Sequence, residues 1–352
     1  MKATIVTTTI YVPKFLAEYS AAAERNGHDV DFIVIGDAKT PLEAREYCMT
    51  IPRCSYLDLA DQSEFLKDGN RWMLGAHLPV NSVERRNIGM LLAYDRGNHT
   101  VITLDDDNYA TMHDAITGHS IVGRAQLLST VESSTGWYNV CSMLKEKNDV
   151  EFYHRGFPPA QRWRDSSILT ETQVNRVAVN AGLWTDNPDV DAITRLEREL
   201  NVVGFKDENK TRIALAPGTW SPFNCQNTAL RRRVIPAYFL SPYAGRHADI
   251  FASYVVCKIA EHIGDVITFG YPLARHTRSP HDLWKDLEAE KPAIQITDLF
   301  CDWLRGVELT ADTYHDCFGQ IARRLMREAN NNMLEKMAEG MLICHNVFKE
   351  GE

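Results

Sequence analysis

Apolar and polar positions follow two rhythms along the first hundred residues. ATIVTTT, close to the N-terminus, is continuously apolar or β-branched and predicts a buried strand. KFLAEYSAAAERNGH places apolar residues at helical spacing and predicts a helix that stops at Gly27. VDFIVIGD predicts a second strand, PLEAREYCM a short helix opened by a proline, and SVERRNIGMLLAYDRG a helix ending at Gly97. TVITLDDD then predicts a third buried strand. This alternation implies a mostly parallel sheet flanked by helices, an α/β architecture in which ligands bind beyond the carboxyl ends of the strands.

The pattern changes further on. From about Gly136 to Pro222 periodicity weakens and Pro, Arg, Trp and Asn accumulate, which predicts long functional loops packed on the sheet. NTALRRRVIPAYF and DIFASYVVCKIAEHIG predict helices, and DVITFG a returning strand. Beyond residue 280 the spacing is helical almost throughout, with an N-cap region expected near Thr310. The expected organisation is a catalytic domain over 1–280 and a C-terminal helical appendage over 281–352.

Composition narrows the class. The 352 residues are 44% hydrophobic and 24% charged, as in an ordinary globular protein, and the formal net charge of −9 argues against non-specific nucleic-acid or membrane-surface binding. No run approaches the roughly 20 apolar residues of a membrane span, and the N-terminus lacks the pattern of a signal peptide. Eight scattered cysteines without a C-x-x-C pair predict reduced thiols in a cytoplasmic protein.

The candidate chemistry begins with Asp105, Asp106 and Asp107 at the end of an apolar strand. Neighbouring carboxylates repel, and a divalent cation, Mn²⁺ or Mg²⁺, would relieve them while holding a diphosphate. The competing interpretation is a solvated acidic loop. FYHRGFPPAQRWRDSS interleaves Arg155, Arg162 and Arg164 with aromatic residues and suits phosphate recognition, or surface pairing with the acidic surplus. Asn187-Pro188-Asp189 reads as a turn into a helix with Asp191 near its first turn. Asp249 at a helix start could sit beside a sugar, and His276 could complete a metal shell, although any one of twelve histidines is a weak candidate.

Taken in order, these segments resemble the reversibly glycosylated polypeptides, the plant UDP-arabinopyranose mutases of glycosyltransferase family 75. ERRNIG before TLDDDN matches the family's arginine-bearing helix before TIDDDC, with Arg86 on the matching arginine. FYHRGFPPAQRWRD matches FVRGYPFSLREG, aligning Arg155 and placing Arg162 on the arginine that the family glycosylates. GLWTDNPDVDAITRL corresponds to GLWLNIPDYDAPTQL and carries over Trp184, Pro188, Asp189 and Asp191. NTALRR resembles NLAFDR at Asn227, RHADIFASY resembles RYDDMWAGW at Arg246 and Asp249, and RHTRSPHDL resembles YHSKASNPF at His276.

The resemblance implies a GT-A-like, Rossmann-like fold and a flavin-independent, NAD-free mutase that interconverts pyranose and furanose forms of a nucleotide-bound sugar. It implies Asp105, Asp107 and His276 as metal ligands. Arg86, Asp105, Asp106, Arg155, Trp184, Asn227 and Arg246 become substrate-binding residues, with Arg86 and Arg155 on the diphosphate. Arg162, Asp189, Asp191 and Asp249 become catalytic. A guanidinium is inert unless a carboxylate takes its proton, so Arg162 as nucleophile would need Asp189 or Asp191 beside it. Ala248 stands where the family has the first acid of DDMW, and the helices past residue 280 diverge. That departure points to a bacterial branch acting on a GDP- or UDP-hexose for a surface glycan or an antibiotic-like secondary metabolite. A glycosyltransferase with an external acceptor, and a non-enzymatic nucleotide-sugar-binding subunit, are the rival functions. The C-terminal helices have apolar faces compatible with homo-oligomerisation.

Overall fold

The computed structural model describes residues 1–111, 115–208, 210–279 and 281–348. The predicted opening rhythm is present: β1 (Lys2–Thr9), α1 (Leu16–Arg25), β2 (Asp29–Gly36), α2 (Glu43–Thr50) and β3 (Cys54–Leu57). Two short helices, α3 (Leu59–Phe65) and α4 (Arg71–His77), precede α5 (Arg86–Asp95) and β4 (Thr100–Leu104). These strands pair in parallel in the order β3-β2-β1-β4. β3 carries no sequence signal, being four residues long and half-buried at the sheet edge.

Past β4 the sheet becomes mixed, which corrects the expectation of a mostly parallel one. The further strands are β5 (Asn108–Ala110), β6 (Ala125–Ser133), β7 (Leu144–Glu146), β8 (Ile168–Asp186), β9 (Val202–Phe205), β10 (Arg212–Leu215), β11 (Asn227–Arg231) and β12 (Val266–His276). β11 lies between β4 and β8, antiparallel to both, while β12 runs parallel to β8. NTALR, predicted as a helix, is therefore a central strand; its first four residues are buried, and only the following RRVIPA coils, as a 3-10 turn. β8 likewise runs for 19 residues through the segment expected to be loops. An α/β architecture is the one found, with helices on the sheet and a helical C-terminal part.

Helices α6 (Ala192–Glu197), α7 (Ala248–Ile263), α8 (Leu283–Arg305), α9 (Tyr314–Glu328) and α10 (Asn332–Val347) complete the chain. The long last helix predicted after Thr310 is two helices, capped by the side chains of Thr313 and Asn331 and parted at Ala329, where EANNN supplies poor helix formers. The boundary expected at 280/281 abuts Pro280, which lies outside the described residues. Beyond it, Phe300, Leu304, Phe318 and Met341 share one hydrophobic cluster with Leu183 and Phe251 of the sheet and α7. The helices thus contribute to the same core as the strands.

A buried polar network holds β8, β11 and β12 together. Asn180 Nδ2 donates to His119 Nδ1 (2.9 Å), and His119 Nε2–H donates to Asn227 Oδ1 (3.1 Å). Asn227 Nδ2 donates to the carbonyl of Pro272 (3.0 Å). Both ring nitrogens of His119 are engaged only if the ring is neutral, and burial lowers its pKa to about 4. The sign follows: the unfolded ring, with an ordinary pKa, binds the proton first, so this histidine's contribution to stability is lost as pH falls below about 6.5. At pH 5 the loss is about 2 kcal/mol. Urea unfolding at pH 8 and pH 5 should show a fall roughly 2 kcal/mol smaller in His119→Gln than in the parent chain; equal falls would refute the assignment.

Candidate active site

All five residues of β4 are buried, so the chain delivers Asp105, Asp106 and Asp107 together at the carboxyl end of a central strand. Each acid takes a different partner. Asp105 Oδ1 accepts from Arg86 Nη2 (2.6 Å), and Arg86, 1% exposed in the first turn of α5, also donates to the Cys225 carbonyl (2.9 Å). Thr9, at the end of β1, donates its hydroxyl to Asp106 Oδ2 (2.6 Å). Burial outweighs that bond and pushes Asp106 up to about 6. Burial raises Asp105 as well, against the pull of Arg86.

Asp107 meets His276 because β12 pairs antiparallel with β5, placing His276 opposite Asn108. His276 Nδ1–H donates to the Asn187 carbonyl (2.6 Å), which leaves Nε2 facing Asp107 Oδ2 at 3.2 Å. A neutral lone pair against a carboxylate oxygen is repulsive, so this pair calls for a positive charge between or on its members. Burial opposes a charge on the ring, but Asp107 prevails and raises its pKa. Among the described residues no group of three or more His, Cys, Asp or Glu is arranged as a preformed metal shell. The expected trio is thereby corrected: Asp107 and His276 are together, and Asp105 is turned to Arg86. The donor set still fits a hard divalent cation, because three carboxylates crowd there with Arg86 the one paired guanidinium and His276 is oriented by a backbone carbonyl.

Two contiguous cavities open from this point, sharing Asp105 and Val83. The first, about 280 Å³, lies over the ends of β1 and β2 and is lined by Thr8, Thr9, Asp37, Ser82, Arg85, Arg86 and the three aspartates. Arg85, which the sequence reading does not single out, is 5% exposed and donates to Gln62 Oε1 (2.8 Å) and the Leu78 carbonyl (3.4 Å). Neither hydrogen-bond partner is a carboxylate; Asp37, on the same cavity wall, is the acid whose charge acts on it.

The second cavity, about 230 Å³, is lined by Arg155, Asp189, Cys225, Gln226, Leu240, Gly245, Arg246, Ala248 and Asp249. Arg155 does not serve as the diphosphate ligand expected of it. Its Nε and Nη2 donate to the two oxygens of Asp189 (2.8 and 2.9 Å), and its Nη1 and Nη2 donate to those of Asp249 (3.0 and 2.9 Å). The remaining Nη1 hydrogen goes to the Arg246 carbonyl, so all five donors are spent. Burial disfavours charge on both acids, yet Arg155 outweighs it and holds Asp189 and Asp249 below the ordinary carboxylate range. Asp249 is therefore a standing negative charge on the cavity wall. Arg246 lines the same wall and is tethered to Glu290 (3.0 Å) and Asp286 (3.3 Å) of α8. Arg162 pairs with Asp191, whose other oxygen caps α6 by accepting from the Thr194 N–H (2.8 Å).

Not every expected residue reaches the cavities. Arg162, Asp191 and His276 lie outside the lining of both. Trp184, expected on the substrate, is fully buried in β8, where its ring packs 5.0 Å from that of His154. Asn227 is spent in the strand network described above. Both are parts of the scaffold, and motif matching cannot separate such residues from ligand contacts. Cys225, whose Sγ lies 3.6 Å from Asp249 and 3.9 Å from Asp105, gives no sequence signal beyond its place beside Asn227.

Comparison with known proteins adds the family context. No protein-family model matches the chain. A probable UDP-arabinopyranose mutase 1 of Pisum sativum is 22% identical over 265 residues, 71% of this chain and 67% of the relative. UDP-arabinopyranose mutase 1 of Arabidopsis thaliana is 24% identical over 188 residues, 49% and 50% of the two chains. The chain thus spans between half and two thirds of the length of these relatives. Among solved structures, glucosyl-3-phosphoglycerate synthase from Mycobacterium tuberculosis with Mn²⁺ and UDP-glucose aligns at a TM-score of 0.44 and 9% identity, over 86% of this chain and 79% of that one. Mannosyl-3-phosphoglycerate synthase from Rubrobacter xylanophilus aligns at 0.41 and 10%, over 88% and 77%. The curated homologues of this chain are UDP-arabinopyranose mutases, the reversibly glycosylated polypeptide family.

Proposed function

We propose that this chain is a metal-dependent mutase that exchanges the pyranose and furanose forms of a nucleotide-diphosphate sugar. The observation that carries this reading is the pair of cavities joined at Asp105, one lined by Arg85, Arg86, three hydroxyls and an acidic cluster that a cation would offset, the other walled by clamped carboxylates. The homology to mutases supports the same chemistry.

In this reading the diphosphate lies in the first cavity against Arg86 and Arg85, and the sugar lies in the second. Asp107 and His276, with Asp105 close by, are the residues that would hold a divalent cation. When bound, the cation would neutralise charge gathering on the departing diphosphate. Arg86 adds fixed positive charge at the same place, at no cost of reorganisation. As the anomeric C–O bond breaks, positive charge grows on the sugar, and the ionised Asp249 faces it. A sugar hydroxyl then bonds to the anomeric carbon while the former ring oxygen leaves that carbon and takes up the proton the hydroxyl gives up, which resets ring size, and diphosphate returns to the same carbon. Arg155 positions Asp189 and Asp249, with all its donors spent on the protein. Arg162, carboxylate-paired as a nucleophilic guanidinium requires, would reach the sugar only by moving from its place beside Asp191. The small Ala248 and Gly245 leave room for a hexose in the second cavity.

The test uses the purified protein with Mn²⁺, UDP- and GDP-sugars and no acceptor. A new chromatographic peak of unchanged mass, assigned as furanose by proton NMR, would establish the mutase. Unchanged substrates that react only when an acceptor alcohol is added would replace it with a glycosyltransferase. Chelation with EDTA is expected to lower turnover at least ~100-fold, restored by Mn²⁺ or Mg²⁺; activity indifferent to EDTA would remove the metal from the proposal.

A further inference from the structure

The longest exposed strand lies away from the cavities, in the first half of β8. Ile168–Arg176 pair with β6 residue for residue over nine positions without a register shift. Pairing to β12 begins at Val177 and pairing to β11 at Val179, so among the described residues β6 is the one ladder partner of this half. Ser134 N–H donates to the Ser167 carbonyl and Val177 N–H to the Arg124 carbonyl. Odd-numbered residues therefore turn their backbone groups to β6, and Thr170, Thr172 and Val174 turn theirs outward.

Natural sheets blunt such edges with proline, lysine or a bulge. ILTETQVNR has no proline or lysine and pairs without irregularity. Ile168, Leu169 and Val174 are 41, 63 and 68% exposed, and Leu127, opposite Val174 on β6, is 66% exposed. An edge this long and regular, with exposed apolar residues among its threonines, is open to pairing.

We propose that this edge pairs with the same edge of a second copy of the chain, antiparallel about a two-fold axis at Thr172. The sequence is self-complementary in that register. Thr172 faces its own counterpart, Thr170 faces Val174, Glu171 faces Gln173, Leu169 faces Asn175, and Ile168 faces Arg176. No like charges oppose, and threonine–threonine and threonine–valine pairs are favourable across strands. The outward backbone groups of Thr170, Thr172 and Val174 are those that a two-fold centred there would join in reciprocal hydrogen bonds. The contact is isologous and closes at two copies, which suits a discrete dimer rather than a fibre. The two half-strands overlap for about 30 Å. The same strand continues to Asp186, next to the Asn187–Asp191 turn, so the dimer would brace the frame that carries Asp189.

Light scattering of the full chain at micromolar concentration should give twice the chain mass. Thr172→Lys and Thr172→Glu each set like charges face to face at the axis while leaving the bonds to β6 intact. Each alone should weaken the dimer roughly tenfold or more, and an equal mixture should restore it. Hydrogen exchange of the parent chain should slow across 168–176 as concentration rises, a readout that needs no variant. A parent chain that stays monomeric, variants that dimerise as the parent does, or exchange independent of concentration would each overturn the proposal.

Discussion

Replacing Arg155 by methionine is expected to destabilise the fold by about 3–5 kcal/mol and to abolish activity. The guanidinium neutralises two carboxylates that are both less than one tenth exposed, and its removal strands them in the interior. The loss should be large because Arg155 spends every donor on the protein, so no part of it is replaced by solvent. Adding Asp189→Asn and Asp249→Asn to Arg155→Met should recover much of the stability, since two amides need no counter-charge, yet turnover should stay lost. Urea midpoints of the single and triple variants decide the matter. If Arg155→Met unfolds where the parent does, the clamp is not an ionic one.

The second large effect is on rate rather than on folding. Asp249→Asn should lower kcat by about 10²–10³-fold, the scale of a fixed charge removed from a developing transition state. Arg155 keeps Asp189 as its partner in that variant, so the protein should remain folded. Asp249 lines the cavity away from Thr8, Asp37 and Arg85, so binding of the nucleotide diphosphate, measured by calorimetry, should change little. A variant that raises KM and leaves kcat intact would make Asp249 a binding group and remove it from the chemical step.

How far the sequence discloses this molecule depends on the kind of signal each part carries. The β2-β1-β4 part is readable because each of these strands is a continuous apolar run set off by turn residues; the short, half-buried β3 is not. The acid triplet is readable because three carboxylates abut such a run. β8 is not, because its first half is exposed and mostly polar without alternation while its second half is largely buried, so no single period describes it. β11 misleads for another reason: Ala229, Leu230 and the arginines after them are good helix formers, and tertiary pairing with β4 and β8 overrides that local preference. Within the site, the arginines could be identified but not their duties. Arg155 finds its partners 34 and 94 residues away, and spacing along the chain gives no hint that they will consume all its donors. Trp184 and Asn227 show the converse, residues placed correctly in a motif that serve the frame.

Glu290 adds a consequence for how such a protein diversifies. One of its oxygens accepts the backbone N–H of Ala192 (2.7 Å) at the start of α6, and the other takes Arg246 from the cavity wall. A single carboxylate on α8 thus ties down two loops beside the second cavity. Changes of length or tilt in that helix would shift Arg246 without altering any residue that a motif records. The shape of the second cavity therefore depends on α8 as well as on the residues that line it.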